Sequence, residues 1–341
     1  MKKILLIGLL CMMLPSVSLA GPQWDISENS WMKLSFLGQV HYSFMDDAAD
    51  ESDFYLRRGR IILNGQLMDG VKMFVETDND KHGMNGVEAN TDIQDAFVDV
   101  QLGKANCWVK TGLILLPFSF ESGSSAASLL GLDYNSEVVY LTNSFVWRDY
   151  GAEIHGGLGE KFAYRAGIFD GYKANEDADL RFTGHLAFNP IGKVNSDWFH
   201  AQNRLSMDNY LSIGAGYDTQ NKATINKDTL VEDDSEAWVI DTQSGFDLAG
   251  YAGLTLNGAY YDWDSSIYKG NTMFVETGLL FMQKFQATVK CSQMEPDAGD
   301  DATDYTFGLH YFHMKHNLRG GIEYRTGDSS DWILAGIQFM I

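Results

Sequence analysis

Residues 53–80 read DFYLRRGRIILNGQLMDGVKMFVETDND. Taken with period two, Gly59, Ile61, Leu63, Gly65 and Leu67 fall on one face, and Arg58, Arg60, Asn64 and Gln66 on the other. A turn at Met68-Asp69-Gly70-Val71 follows, after which Val71, Met73 and Val75 alternate with Lys72, Phe74 and Glu76. Successive strand side chains point to opposite faces, so the stretch is a hairpin with one apolar and one polar face. Two architectures accept such a hairpin. A soluble sandwich turns the apolar face inward, whereas a transmembrane barrel turns it toward lipid and the polar face toward a lumen.

The same alternation recurs along the chain. Strands are expected at 31–44, 53–68, 70–80, 91–103, 106–118, 147–157, 161–171, 180–190, 208–220, 234–246, 249–263, 271–283, 285–295, 302–314, 316–327 and 331–341. That is an even number of strands, with lengths near the ~9–11 residues a tilted membrane strand needs. Their connections alternate in kind. MDG, GKAN, GLGE, FDLA, QKF and MKHN are short, with one long exception at 191–207. The others are longer and acidic, among them DDAADES, NDKHGMNGVEAN, GYKANEDAD and PDAGDD. Short turns at one end and long loops at the other are the pattern of an outer-membrane barrel. Aromatics at strand ends, including Trp31, Phe118, Tyr260, Trp263 and Trp332, read as the girdles at its two water interfaces. The expected fold is therefore all-β, a 16-stranded antiparallel transmembrane β-barrel.

The opening residues MKKILLIGLLCMMLPSVSLA carry two lysines, an apolar core and a small-x-small site, which reads as a signal peptide over 1–20. A short periplasmic segment over 21–30 and the barrel over 31–341 complete the expected organisation. The whole chain has 25 basic and 46 acidic residues; loss of Lys2 and Lys3 leaves 23 against 46. That balance excludes nucleic acid as a partner and favours cation attraction at a surface. Of the cysteines, Cys107 and Cys291 lie beyond residue 20, and their pairing is left open.

Motifs of catalysis and of haem or metal binding are missing. There is no CxxCH, HExxH or GxSxG, and His310, His313 and His316 on a strand do not share one face. Asp149, Glu153 and His155 share a face, but nothing supplies a nucleophile with an oxyanion partner. No cofactor, metal or enzymatic activity is expected.

Four runs carry a family resemblance: FYLRRGRIILNGQL, VKTGLILLPFSFE, WRDYGAEIHGGLGEKFAYRAGIFDG and ADLRFTGHLAFNPIG. In order and spacing they resemble the signatures of the phosphate-selective porin O/P family over residues 53–192. The resemblance implies a sixteen-stranded barrel in the outer membrane of a Gram-negative bacterium, a homotrimer, and a loop folded inward to constrict a water-filled channel. Residues 119–146 stand where that constriction loop belongs. The family's anion-selective members carry lysine-rich loops, whereas Asp46, Asp47, Asp50, Glu51, Glu176 and Asp177 make the loops here acidic. Phosphate selectivity is therefore not carried over.

The pore lining is expected from Arg58, Arg60, Lys72, Lys110, Arg165 and Arg181 on the wall and from Glu121, Asp133 and Glu137 on the loop. Opposed charges across an eyelet would orient polar solutes and discriminate weakly by sign. Equally, the arginines could simply balance carboxylates on neighbouring strands. Three functions remain open: passive diffusion of small polar solutes and ions, a structural sheath around a periplasmic or multihaem cytochrome partner, and an enzyme at the barrel rim. An anion- or phosphate-selective channel is the variant of the first. The partners expected throughout are outer-membrane lipid and the permeating solutes.

Overall fold

The structure is a computed structural model that describes residues 21–45, 52–79, 91–135, 141, 147–172, 179–193, 200–205, 208–223, 233–248, 250–329 and 331–341. The expected signal peptide, Glu137 and the loop acids from Asp46 to Glu51 and at Glu176 and Asp177 lie outside the described residues. Seventeen strands are present among the described residues: β1 (Gln23–Ser27), β2 (Ser30–Met45), β3 (Ser52–Met68), β4 (Val71–Asp78), β5 (Asp92–Gln101), β6 (Cys107–Leu115), β7 (Arg148–Leu158), β8 (Phe162–Phe169) and β9 (Arg181–Ile191). The rest are β10 (Tyr210–Ala223), β11 (Asp233–Leu248), β12 (Ala252–Asp264), β13 (Lys269–Phe281), β14 (Phe285–Pro296), β15 (Ala302–Phe312), β16 (Leu318–Gly327) and β17 (Trp332–Met340).

Strands β2 to β17 pair antiparallel with their neighbours, and β17 returns to β2 from Trp332↔Met45 to Met340↔Leu37. The result is a closed ring of sixteen strands, which leaves no open edge. One element was not legible in the alternation. β1 forms a hairpin with β2 within residues 21–30, where no strand was expected, with Gln23 opposite Lys33 and Asp25 opposite Trp31. It continues the line of β17 along the same edge of β2: Ile341 N donates to Phe36 O at 3.0 Å, and two residues on Leu34 N donates to Pro22 O at 3.0 Å. β1 and the end of β17 thus share one edge of β2.

The faces follow the alternation. Ile61, Phe182, Leu186 and Leu309 point outward and are 53%, 54%, 65% and 65% exposed, as a lipid-facing surface requires. Arg58, Arg60, Lys110, Arg165 and Arg181 point inward and are buried. Turn chemistry supports the short ends, with Gly70 at φ +72° in the β3–β4 connection. Two girdle assignments fail. Phe118 and Trp263 are both 3% exposed and pack on each other inside the lumen at 5.5 Å. Trp263 has the inward parity of Tyr261 and Ala259, and that parity outweighs its place near a strand end.

A second departure lies in the stretch quoted first. Gln39 pairs with Arg58 but Val40 pairs with Leu56, so Arg57 is an extra residue in β3. Such a bulge lets two consecutive side chains serve one face. Strict alternation would turn Arg57 outward; instead both Arg57 and Arg58 are buried, at 9% and 2% exposure.

Candidate functional site

After β6 the chain crosses the lumen rather than leaving it. Phe118 packs on Tyr261 and Trp263, and Phe120 on Phe274, along the inner faces of β12 and β13. Polar contacts fix the same point: Phe120 N donates to Asp241 Oδ2 at 2.9 Å, and the Tyr261 hydroxyl to Ser119 Oγ at 3.1 Å. A short 3-10 turn, Ala126–Ser128, follows, with Ser125 Oγ accepting from Ala127 N. The chain then reaches the wall at β2, β3, β16 and β17. Gln39 donates to Ala126 O at 2.9 Å, Gln338 to Ala127 O at 2.8 Å and Arg319 to Leu129 O at 2.7 Å. Leu132 N donates to Glu323 Oε1 at 2.8 Å.

This loop stays inside for two reasons. Leu129, Leu130 and Leu132 are at most 4% exposed, so water is excluded from its apolar side chains. Its backbone groups, which lack a sheet partner, are satisfied by amide, guanidinium and carboxylate side chains of the wall.

The bulge in β3 meets this loop. Arg57 Nε lies 2.5 Å from Asp133 Oδ2, and Arg58 Nη2 2.9 Å from Asp133 Oδ1. Arg58 also lies over the Tyr134 ring at 5.2 Å. Burial alone would raise the Asp133 carboxyl, but the two guanidiniums hold it well below the usual aspartate range. Arg57 is the site residue that alternation misses, and the only sequence signal for it is the doublet Arg57-Arg58 itself.

The remaining expected residues line the wall, but not as an opposed pair of charged faces. Arg60 binds Glu76 and Asp78, each at 2.7 Å, and Arg181 binds Asp218 at 2.8 Å. Glu153 lies between Lys110 at 3.8 Å and Arg165 at 3.6 Å. Lys72 is exposed over the Trp108 ring at 4.4 Å. Among the described residues Glu121 pairs with amides and not with an arginine: it accepts from Asn135 N at 2.9 Å and from Gln202 Nε2. Burial raises its carboxyl above the ordinary glutamate value, with the Asn135 amide opposing. Thus the expectation that Arg60 and Arg181 face loop acids is corrected. Each has a carboxylate on the adjacent strand within two residues of its own level, Asp218 standing opposite Thr183, and pairs there first.

A second segment enters the lumen from the opposite end, between β9 and β10. His200 N donates to Gly123 O at 3.0 Å, Ser125 N to His200 O at 2.9 Å, and Asn203 N to Ser128 O at 2.8 Å. Two cavities border it. One of about 10 Å³ touches Pro117, Ser119, Gly123, Arg165 and His200; one of about 30 Å³ touches Arg165, His185, His200, Arg204 and Gln243. The closed barrel, the loop across it and the narrow polar spaces left inside are the anatomy of a constricted channel.

The model of the family described as phosphate-selective porin O and P matches residues 35–262, about two thirds of the chain. The chain belongs to this family. It is an outer-membrane porin of a Gram-negative bacterium, a barrel for passive diffusion. No curated relative matches the porin. Among solved structures, OmpF of Salmonella typhi, in complex with daunomycin, is similar at TM-score 0.67 and 10% identity, covering 94% of this chain and 100% of that one. OmpT of Vibrio cholerae, folded in vitro and in trimer form, gives TM-score 0.61 and 12% identity, covering 92% and 100%. A triple mutant of the Rh. blastica porin gives 0.59 and 12%, covering 91% and 100%. At such identities these likenesses concern the fold.

Proposed function

We propose that this porin passes small polar solutes and ions through a narrow channel with weak charge selectivity. The observation that carries the reading is the local pairing of the lumenal charges. Asp133 is neutralised by Arg57 and Arg58, Arg60 by Glu76 and Asp78, and Arg181 by Asp218. A wall whose charges are matched at short range presents little net field to a solute. The acidic loops then add a cation preference over about one Debye length, ~8–10 Å at physiological salt, which fades as salt rises. The test is a reversal potential across a planar bilayer in a salt gradient. A small cation preference that disappears at high salt is expected; strong anion preference contradicts it.

One observation favours an anion-selective reading instead. The larger cavity gathers two guanidiniums, Arg165 and Arg204, against the single carboxylate of Asp241, with the imidazoles of His185 and His200 beside them. Saturable inhibition of chloride conductance by phosphate separates the two readings.

A catalytic role finds no support in the rim carboxylates. Asp149 accepts from Tyr150 N and Gly171 N, and His155 is held by Asp99. A cytochrome threaded through the barrel conflicts with a lumen crossed by the loop. We also infer a homotrimer, supported by an outer, mostly apolar groove across β6 to β8, where Tyr150, Ile168 and Leu180 border Gly112, Gly151 and Ala152. Crosslinking of the purified porin to a species three times the monomer mass tests it; monomers alone contradict it.

A further inference from the structure

The connection between β9 and β10 is far longer than its place requires. Ile191 pairs with Leu211, so the strands are already adjacent where the chain leaves the sheet. A hairpin loop of about two to five residues would join them. Instead residues 192–209 intervene, and 200–205 lie within the lumen. Long connections in compact structures are uncommon and usually functional.

The segment is fastened on two sides. On the loop side, besides the backbone pairing, Gln202 Oε1 accepts from Leu130 N at 2.7 Å. On the wall side, Gln243 Nε2 on β11 donates to Ala201 O at 2.7 Å, and Asn203 Nδ2 donates to Gln286 Oε1 on β14 at 2.8 Å. The His316 ring nitrogen lies 2.7 Å from Asn203 O, and Leu205 packs with Leu280 and Phe312. Gln202 and Asn203 are each 1% exposed. Ordering so many groups costs conformational entropy, and a turn needed only to join two strands has no reason to incur it.

The consequence is a loss of width. Between segment, loop and the strands from β8 to β11 the cavities hold about 10 and about 30 Å³. A water needs about 10–15 Å³, so the two cavities hold about one water and about two. We propose that residues 200–205 are a second constriction, set from the end opposite the loop, and that they determine the size limit of the pore. Gln202 and Asn203 are the hooks, and His200 and Arg204 supply the lining. The proposal rests on the porin reading.

The test replaces Lys193 to Asp208 by Asn-Gly, which leaves the pairing of β9 with β10 in place. Single-channel conductance and swelling of liposomes in sugars of increasing size are compared with the wild type, and heat-modifiable migration reports folding. Conductance is expected to rise roughly threefold or more, as the space taken up by residues 200–205 is returned to the lumen. Larger sugars are expected to enter as well. A folded variant with wild-type conductance and the same size limit overturns the proposal. Should the replacement not fold, the double variant Gln202→Ala, Asn203→Ala removes the hooks alone. Raised conductance with added open-channel noise then supports the proposal, and a quiet wild-type trace overturns it. Conduction that appears only once the segment is removed counts for the second constriction, and against passive diffusion through the wild type.

Discussion

Two segments enter one lumen from opposite ends and are held by different chemistry. The loop after β6 adds extensive apolar burial to its hydrogen bonds and the Asp133 clamp: Phe118 and Phe120 at one wall, Leu129 and Leu132 at the other. The segment after β9 carries one apolar anchor, Leu205, and is otherwise fixed through the backbone and side-chain amides of His200, Gln202 and Asn203. Burying a large apolar side chain is worth about 1.5–3 kcal/mol, against about 0.5–1.5 kcal/mol net for a hydrogen bond. The loop is thus part of the packed structure, whereas the second segment holds by register and is the easier of the two to displace.

The largest effect that sharpens this contrast comes from the loop anchors. Phe118→Ala with Phe120→Ala removes side chains whose loss from a core costs about 3–5 kcal/mol each. Noisy, enlarged conductance and faster proteolysis within 118–135 are expected. A quiet channel would show that apolar burial does not hold the loop. Next comes the clamp at the bulge. Arg57→Ala with Arg58→Ala removes charge-assisted hydrogen bonds worth about 1.5–3 kcal/mol each and leaves Asp133 unpaired. The reversal potential should move toward cations. Arg60→Ala leaves Glu76 and Asp78 beside each other on the wall and should lower thermal stability more than it moves selectivity. Equal shifts from both would erase the distinction between clamp and wall pairs.

Gln202→Ala alone should be milder, about 1 kcal/mol for one set of amide bonds, read as a modest rise in open-channel noise. The smallest effect is that of pH. A lowered carboxyl contributes stability above its ordinary value that is lost only as pH falls through the lower folded value, so the Asp133 clamp should persist from about pH 7 to about pH 5. A raised carboxyl works the other way. Glu121 binds its proton in the folded state first, so stability rises as pH falls toward the ordinary glutamate value of 4.5. Acidification should therefore leave the clamp intact and slightly raise the melting temperature, and Glu121→Gln should remove that rise.

The barrel was legible because lipid and lumen impose period two, and Ile61 or Phe182 outside against Arg58 or Arg181 inside cannot be misread. The loop was legible from its length and from the residues that resemble the family's. Three features were not. The bulge at Arg57 breaks the alternation by a single residue and leaves a pattern of doubled arginine that a turn or a strand end could equally produce. β1 is too short, at five residues, for alternation to register. The long connection after β9 stood out as the exception among short turns, but nothing in its composition shows that Gln202 and Asn203 meet partners inside the lumen. Charge partners were misjudged for a related reason: parity tells which face Arg60 and Arg181 occupy, whereas the acid each meets depends on register between strands, which Asp78 and Asp218 settle.

The most direct measurement is the single-channel current of the purified, folded wild-type porin in a planar bilayer at low and high salt. Small, discrete, ohmic steps are expected, with a weak cation preference at low salt that vanishes at high salt. A folded barrel that inserts without discrete steps, or whose steps show strong anion preference at every salt concentration, would contradict a narrow channel with locally paired charges.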